Sequence, residues 1–117
     1  MPILNYTTTI AAIKTVGEIQ ALLTTAGATR ILIENNAKRE PAALVFELHQ
    51  RHYRLPCRHE AIYKKLSRDR NVPSRYRTPE QALRTAWRIL KNWVEAQVAI
   101  LETEMVQMDE VFMPYQV

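Results

Sequence analysis

One long helical signal constrains this chain more than any other feature. Thr78-Pro79-Glu80-Gln81 sets a capping threonine before a proline at the first helical position, with Gln81 where a capping box carries its acid or amide. No glycine or proline follows before Pro114, and the apolar residues keep a helical period to about Met108. A helix over 79–108 would be about 45 Å long. A compact chain of this size has a radius of gyration of about 13–14 Å, so a straight helix of that length is expected to overhang the domain.

Two apolar stripes run along that helix. Leu83, Trp87, Leu90, Val94, Leu101, Met105 and Met108 form one, interrupted by Gln97. Ala82, Ala86, Ile89, Trp93, Ala96 and Ile100 form the other. A surface helix normally needs a single apolar face. The two stripes are therefore one broad buried face, a buried face plus a self-association seam at Trp93 and Ile100, or the two faces of a kinked helix folded back on itself. The seam reading predicts a homo-oligomer, with a two-fold dimer as the default form.

The rest of the chain supplies a sheet. Ile3–Ile10 is rich in Thr, Ile and Tyr and reads as a strand. Thr15-Val16-Gly17-Glu18 reads as a capping box opening a helix over 16–26, with Val16, Ile19, Leu22, Leu23 and Ala26 on one face and Gly27 as a left-handed C-terminal cap. Thr29–Glu34 contains Ile31-Leu32-Ile33, expected as a short buried strand, and 42–49 and 52–56 alternate as two more. Glu60–Arg70 is a short helix with Ala61, Ile62 and Leu66 inward. The expected fold class is α+β: a small, mainly antiparallel sheet in β-α-β-β-β-α-α order, packed by helices, with a long C-terminal helix. It forms one domain over 1–117. Residues 1–57 hold the sheet and first helix, 58–77 the short helix and a basic loop, and 78–117 the long helix and an apolar-aromatic tail. The tail, Val111-Phe112-Met113-Pro114-Tyr115, is too apolar to stay in water and is expected to dock on the domain or on a second subunit.

Charge divides the chain differently. Residues 1–50 balance to zero, 51–91 carry twelve Lys/Arg against Glu60, Asp69 and Glu80, and 92–117 carry five carboxylates and no Lys or Arg. The net charge of +4 thus hides a basic middle and an acidic end. A concentrated basic block attracts an anionic partner, most often nucleic acid. Lys64, Lys65, Arg68, Arg70, Arg75, Tyr76 and Arg77 crowd the short helix and the loop after it, and Arg84 and Arg88 extend the block along the long helix. Lys and Arg suit phosphate contacts, and tyrosines such as Tyr63 and Tyr76 can stack on unpaired bases. Arg84 and Arg88 lie where the helix dipole disfavours cations by about 0.3–1 kcal/mol, which points to a nearby anion. A solvated face paired with the acidic tail, and an acidic protein partner, remain the competing readings of the same charge.

Chemistry beyond binding finds little support. With only Gly17 and Gly27, the chain has no phosphate-wrapping glycine loop, so neither a P-loop nor a dinucleotide fingerprint is present. No cofactor is expected. His49, His52, Cys57 and His59 are metal-binding residue types, but their spacing matches no zinc pattern, so no metal site is expected. Cys57 with His59 lacks an orienting third group, and no catalytic residue is assigned. A lone cysteine, the lack of a charged-then-apolar leader and the lack of an 18-residue apolar run favour a cytoplasmic setting without a membrane span.

Four segments carry a resemblance: Asn5-Tyr6-Thr7-Thr8, Val72-Pro73-Ser74-Arg75 leading to Thr78-Pro79-Glu80-Gln81-Ala82, the run from Ala86 through Trp87 and Trp93 to Gln97, and the close Glu110-Val111-Phe112-Met113-Pro114-Tyr115. Across most of its length the chain resembles a group of short proteins from phage, prophage and metagenomic sequences. That group has no established activity, so the resemblance implies a mobile-element setting and no site residue. The leading expectation is a non-enzymatic accessory protein that binds nucleic acid, single strands included, in the host cytoplasm. The alternatives are a phage anti-defence inhibitor bound to an acidic host protein, and an oligomer that sequesters a small anionic nucleotide.

Overall fold

The computed structural model describes residues 3–103 and 112–117. Its elements are α1 (Ala12–Thr25), β1 (Arg30–Asn35), β2 (Pro41–Leu48), β3 (Arg51–Pro56), α2 (His59–Arg68) and α3 (Pro79–Glu102), with 3₁₀ turns at Ser74–Tyr76 and Met113–Tyr115. The fold is α+β. Three antiparallel strands in the order β1-β2-β3 form one layer, and the helices form the other, with α1 and α2 both packed on α3.

Register follows from burial. Phe46 faces Ile31 on one side and Tyr53 on the other, and Leu44 faces Ile33 and Leu55. These residues point at the helices, while Glu47 and Arg54 on the opposite face meet Arg30 and Glu34 in ion pairs. The core gathers Val16, Ile19 and Leu23 of α1, Phe46 and Leu48 of β2, Tyr53 and Leu55 of β3, and Trp87, Val94 and Val98 of α3. Val16, Ile19 and Leu23 lie at the three- and four-residue spacing that aligns a helical face.

Local rules explain the ends. α1 stops in a Schellman arrangement: the Ala28 amide bonds the Leu23 carbonyl and the Gly27 amide bonds that of Thr24. Gly27 has φ of +109°, a conformation a side chain would strain. The β2–β3 hairpin turns on His49 and Gln50, with φ of +50° and +66°, the sign that a type I′ turn requires at both positions. Thr78 caps α3 as expected, its hydroxyl accepting from the Gln81 amide at 3.1 Å.

The structure differs from the sequence reading at four places. The strand over 30–35 is not buried throughout, since Leu32 is 61% exposed on the face away from the helices. Residues 3–10 form no strand. Asn5 takes φ of +67°, the Tyr6 and Thr8 amides close turns on Ile3 and Asn5, and the Thr8 hydroxyl accepts from the Ile10 amide. Such local bonds compete with strand pairing and override the β-propensity of Thr and Ile. The element order is therefore α-β-β-β-α-α. Thr15 is also not a cap. α1 begins a turn earlier, at Ala12, with Ala11 as an N-cap lacking a side-chain bond, and Thr15 is buried inside the helix. Lastly, α3 ends at Glu102 with Thr103 as its C-cap; Met105 and Met108 lie outside the described residues. A helix of 24 residues is about 36 Å long, shorter than the length of about 45 Å expected from the sequence.

The two stripes of α3 prove to be one wide buried surface in its first half. Gln81, Ala82, Leu83, Thr85, Ala86 and Trp87 are all buried, because α3 lies between α1 and α2 and under the N-terminal segment. Gln81 is the clamp. Its amide nitrogen donates to the Tyr6 and Thr8 carbonyls at 2.8 Å each, and its oxygen accepts from Arg84. Gln81→Ala would leave both carbonyls without that donor. A loss of about 1–3 kcal/mol is expected, limited because residues 3–10 can detach into water. Thermal unfolding with hydrogen exchange at Tyr6 and Thr8 measures it, and an unchanged melting temperature would remove the clamp's role.

Candidate functional site

The basic block separates into two sets. Arg77, Arg84 and Arg88 serve the fold. Arg77 Nε donates to the Val72 carbonyl at 2.7 Å and its Nη2 reaches the Arg70 carbonyl at 3.3 Å, which ties down the loop between α2 and α3. Arg84 grips Gln81. Arg88 pairs with Glu18 and reaches the Thr15 hydroxyl, joining α3 to α1. Glu18 is thus the anion that offsets the cost of the Arg88 cation early in α3. Lys91 pairs with Glu95 one turn on and holds that carboxyl below the usual range, first by its hydrogen bond and then by its charge.

The second set faces water. Lys64, Lys65, Arg68, Arg70 and Arg75 are exposed, and none meets a carboxylate among the described residues. α2 positions the first three. Leu66 is buried and Ile62 half-buried, so the helical period turns Lys64 and Arg68 outward and Lys65 to one flank. Lys64 and Arg68, four apart, repel one another mildly, while Lys65 and Arg68 in the last turn suit the dipole. A cleft of about 280 Å³ opens beside them, lined by Ile3, Lys65, Leu66, Arg68 and Asp69. Over 58–77 there are seven Lys/Arg and two carboxylates, a net +5.

Arg58 belongs to this set and escaped the sequence reading. It is exposed and occupies the N-cap of α2 without a side-chain cap bond. Ser, Thr, Asp or Asn would stabilise that position, and a cation there opposes the dipole. The sequence signal was a missing cap before Glu60.

Aromatic stacking is less available than the sequence implied. Tyr76 is half-buried. Its ring meets Tyr6 edge-on at 5.5 Å and lies under the Arg75 guanidinium at 4.6 Å. Tyr63, on the flank of α2, is the exposed ring of the block, at 37%.

The tail docks on its own domain. Phe112 is fully buried against Phe46, Tyr53 and Trp93, and Tyr115 also packs on Trp93. Gln116 bridges to Tyr53, and the Val117 amide donates to the His52 carbonyl. Trp93 is thus covered within the chain, and Ile100 is half-buried, so the proposed seam on α3 lacks a bare ring. Glu104, Asp109 and Glu110 of the acidic end lie outside the described residues.

The histidines and cysteine do not converge. His49 is in the hairpin turn, His52 faces Glu47 across the sheet, Cys57 is buried, and His59 opens α2 with its Nδ1 buried. Among the described residues no group of three or more His, Cys, Asp or Glu could hold a metal ion. Burial, with Glu60 nearby, pushes the Cys57 thiol up to about 12 from 9.0. The native state keeps that proton after the unfolded chain has lost it. The associated stability is present below pH 9 and lost as pH rises toward 12. Cys57 should therefore label slowly with a thiol reagent at pH 8 in native protein and rapidly in denaturant; equal rates would refute its burial.

No described helix is long and apolar enough to cross a membrane. Comparison of the chain with protein-family models, curated proteins and solved structures returned no match.

Proposed function

We propose that this chain is a non-enzymatic accessory protein of a mobile element, acting in the host cytoplasm, that binds nucleic acid chiefly through its phosphates. The observation that carries this reading is the set of exposed cations Arg58, Lys64, Lys65, Arg68, Arg70 and Arg75 without carboxylate partners among the described residues. The fold uses Arg77, Arg84 and Arg88 and leaves these six to solvent. Lys and Arg facing water on one helix and its following loop suit a phosphate backbone. With Tyr76 engaged by Tyr6 and Arg75, base stacking falls to Tyr63 alone, which favours binding that is tolerant of sequence.

The test is a salt titration of binding to short single-stranded and duplex oligonucleotides. Binding should weaken linearly in log–log form as salt rises, with a slope of about 0.7–0.9 per phosphate neutralised. A nuclease-insensitive complex with one host protein, or tight binding of a mononucleotide without binding of longer strands, would overturn the proposal in favour of an inhibitor or a nucleotide sponge.

A further inference from the structure

The sheet has two edges, and they are treated differently. The outer edge of β3 is met by the tail, through the Tyr53–Gln116 bridge and the Val117 amide on the His52 carbonyl. The outer edge of β1 has no strand beside it among the described residues. β1 carries neither the Lys nor the Pro that usually blunts such an edge. Leu32, at its centre, is 61% exposed.

We infer that β1 pairs antiparallel with β1 of a second copy of this chain, around a two-fold axis at Leu32, giving a continuous six-stranded sheet. The sequence of the strand is self-complementary in this register. Arg30 faces Glu34 of the second copy, Ile31 faces its Ile33, and Leu32 faces its own counterpart. Opposite charges and apolar pairs directly across strands are the stabilising combinations. Moving the axis to Ile33 sets Leu32 against Glu34, and moving it to Ile31 sets Arg30 against Leu32. The Leu32 register also keeps Ile31 and Ile33 of both copies on the helix-covered face. Arg30 holds its in-chain partner Glu47 loosely, at 3.8 Å with the arginine side chain 85% exposed, so it is free to reach across. Glu34 binds Arg54 through Oε1, leaving its second oxygen for the incoming arginine. Because the tail already meets the β3 edge, the pairing closes as a dimer and does not propagate.

This inference rests on the sheet edge alone and stands whichever ligand the basic block takes. The experiment is sedimentation of nuclease-treated full-length protein at tens of micromolar, with two variants. Wild type is expected to be a dimer. Leu32→Lys places two cations on the axis and should weaken the dimer about tenfold or more without lowering the monomer's melting temperature, since Leu32 packs little within its own chain. Leu32→Cys should form a disulfide-linked dimer under mild oxidation, whereas Arg30→Cys, whose opposite number is Glu34, should not. Buried Cys57 does not compete. A monomeric wild type overturns the inference. So does a dimer that survives Leu32→Lys and leaves Leu32→Cys unlinked, which would move the seam elsewhere, to the Ile100 region of α3 among other surfaces.

Discussion

Neutralising Lys64, Lys65, Arg68, Arg70 and Arg75 together, each to Gln, is expected to weaken oligonucleotide binding strongly while leaving the melting temperature nearly unchanged. All five are exposed, and solvated charges contribute little to stability. If each contacts one phosphate, the salt slope should fall by about 3.5–4.5 in total. The contrasting variant is Arg88→Gln, which breaks the link from α3 to Glu18 of α1. It should lower stability by about 1–3 kcal/mol and leave the salt slope almost untouched. Arg58→Asp sharpens the contrast further. It supplies the missing N-cap of α2 and removes a cation that opposes the dipole, so stability should rise by about 0.5–2 kcal/mol while binding weakens. A protein whose oligonucleotide affinity ignores the five-fold variant does not use this surface for nucleic acid.

That contrast also marks what could be read from the chain and what could not. The α+β class, the three strands 30–56, the long helix and its Thr78 cap follow from period, caps and turns, because each signal lies within a few adjacent residues. The errors arise where a distant partner decides. Residues 3–10 have the composition of a strand, but the Tyr6 and Thr8 carbonyls are satisfied by Gln81, more than seventy positions away. Thr15 and Glu18 have the spacing of a capping box, but both side chains meet Arg88 instead. The basic block was visible as a count. Its division into Arg77, Arg84 and Arg88, which hold the fold, and the cations left to water depends on contacts that no local pattern encodes. Trp93 shows the same effect in apolar form: its helical period is local, and its cover comes from the end of the chain.

Trp87→Ala should cause the largest loss of stability of any substitution considered, about 3–5 kcal/mol. Trp87 is the largest of the fully buried side chains and sits where α3 crosses the start of the central strand. Its indole N–H donates to the Pro41 carbonyl at 3.1 Å, the first residue of β2, so the ring fills the layer between helix and sheet and also satisfies a strand terminus. A domain of this size has about 5–15 kcal/mol in hand, so a loss of this size brings a domain at the low end of that range close to its unfolding threshold. Trp87→Phe separates the two contributions. It keeps most of the apolar volume and loses the donor, leaving the Pro41 carbonyl buried without a partner, for about 1–3 kcal/mol. Denaturant unfolding of both variants gives the comparison. If Trp87→Phe costs as much as Trp87→Ala, the hydrogen bond carries the residue's contribution. If it costs nothing, the Pro41 carbonyl is not held as described and the contact between α3 and β2 is looser than the structure shows.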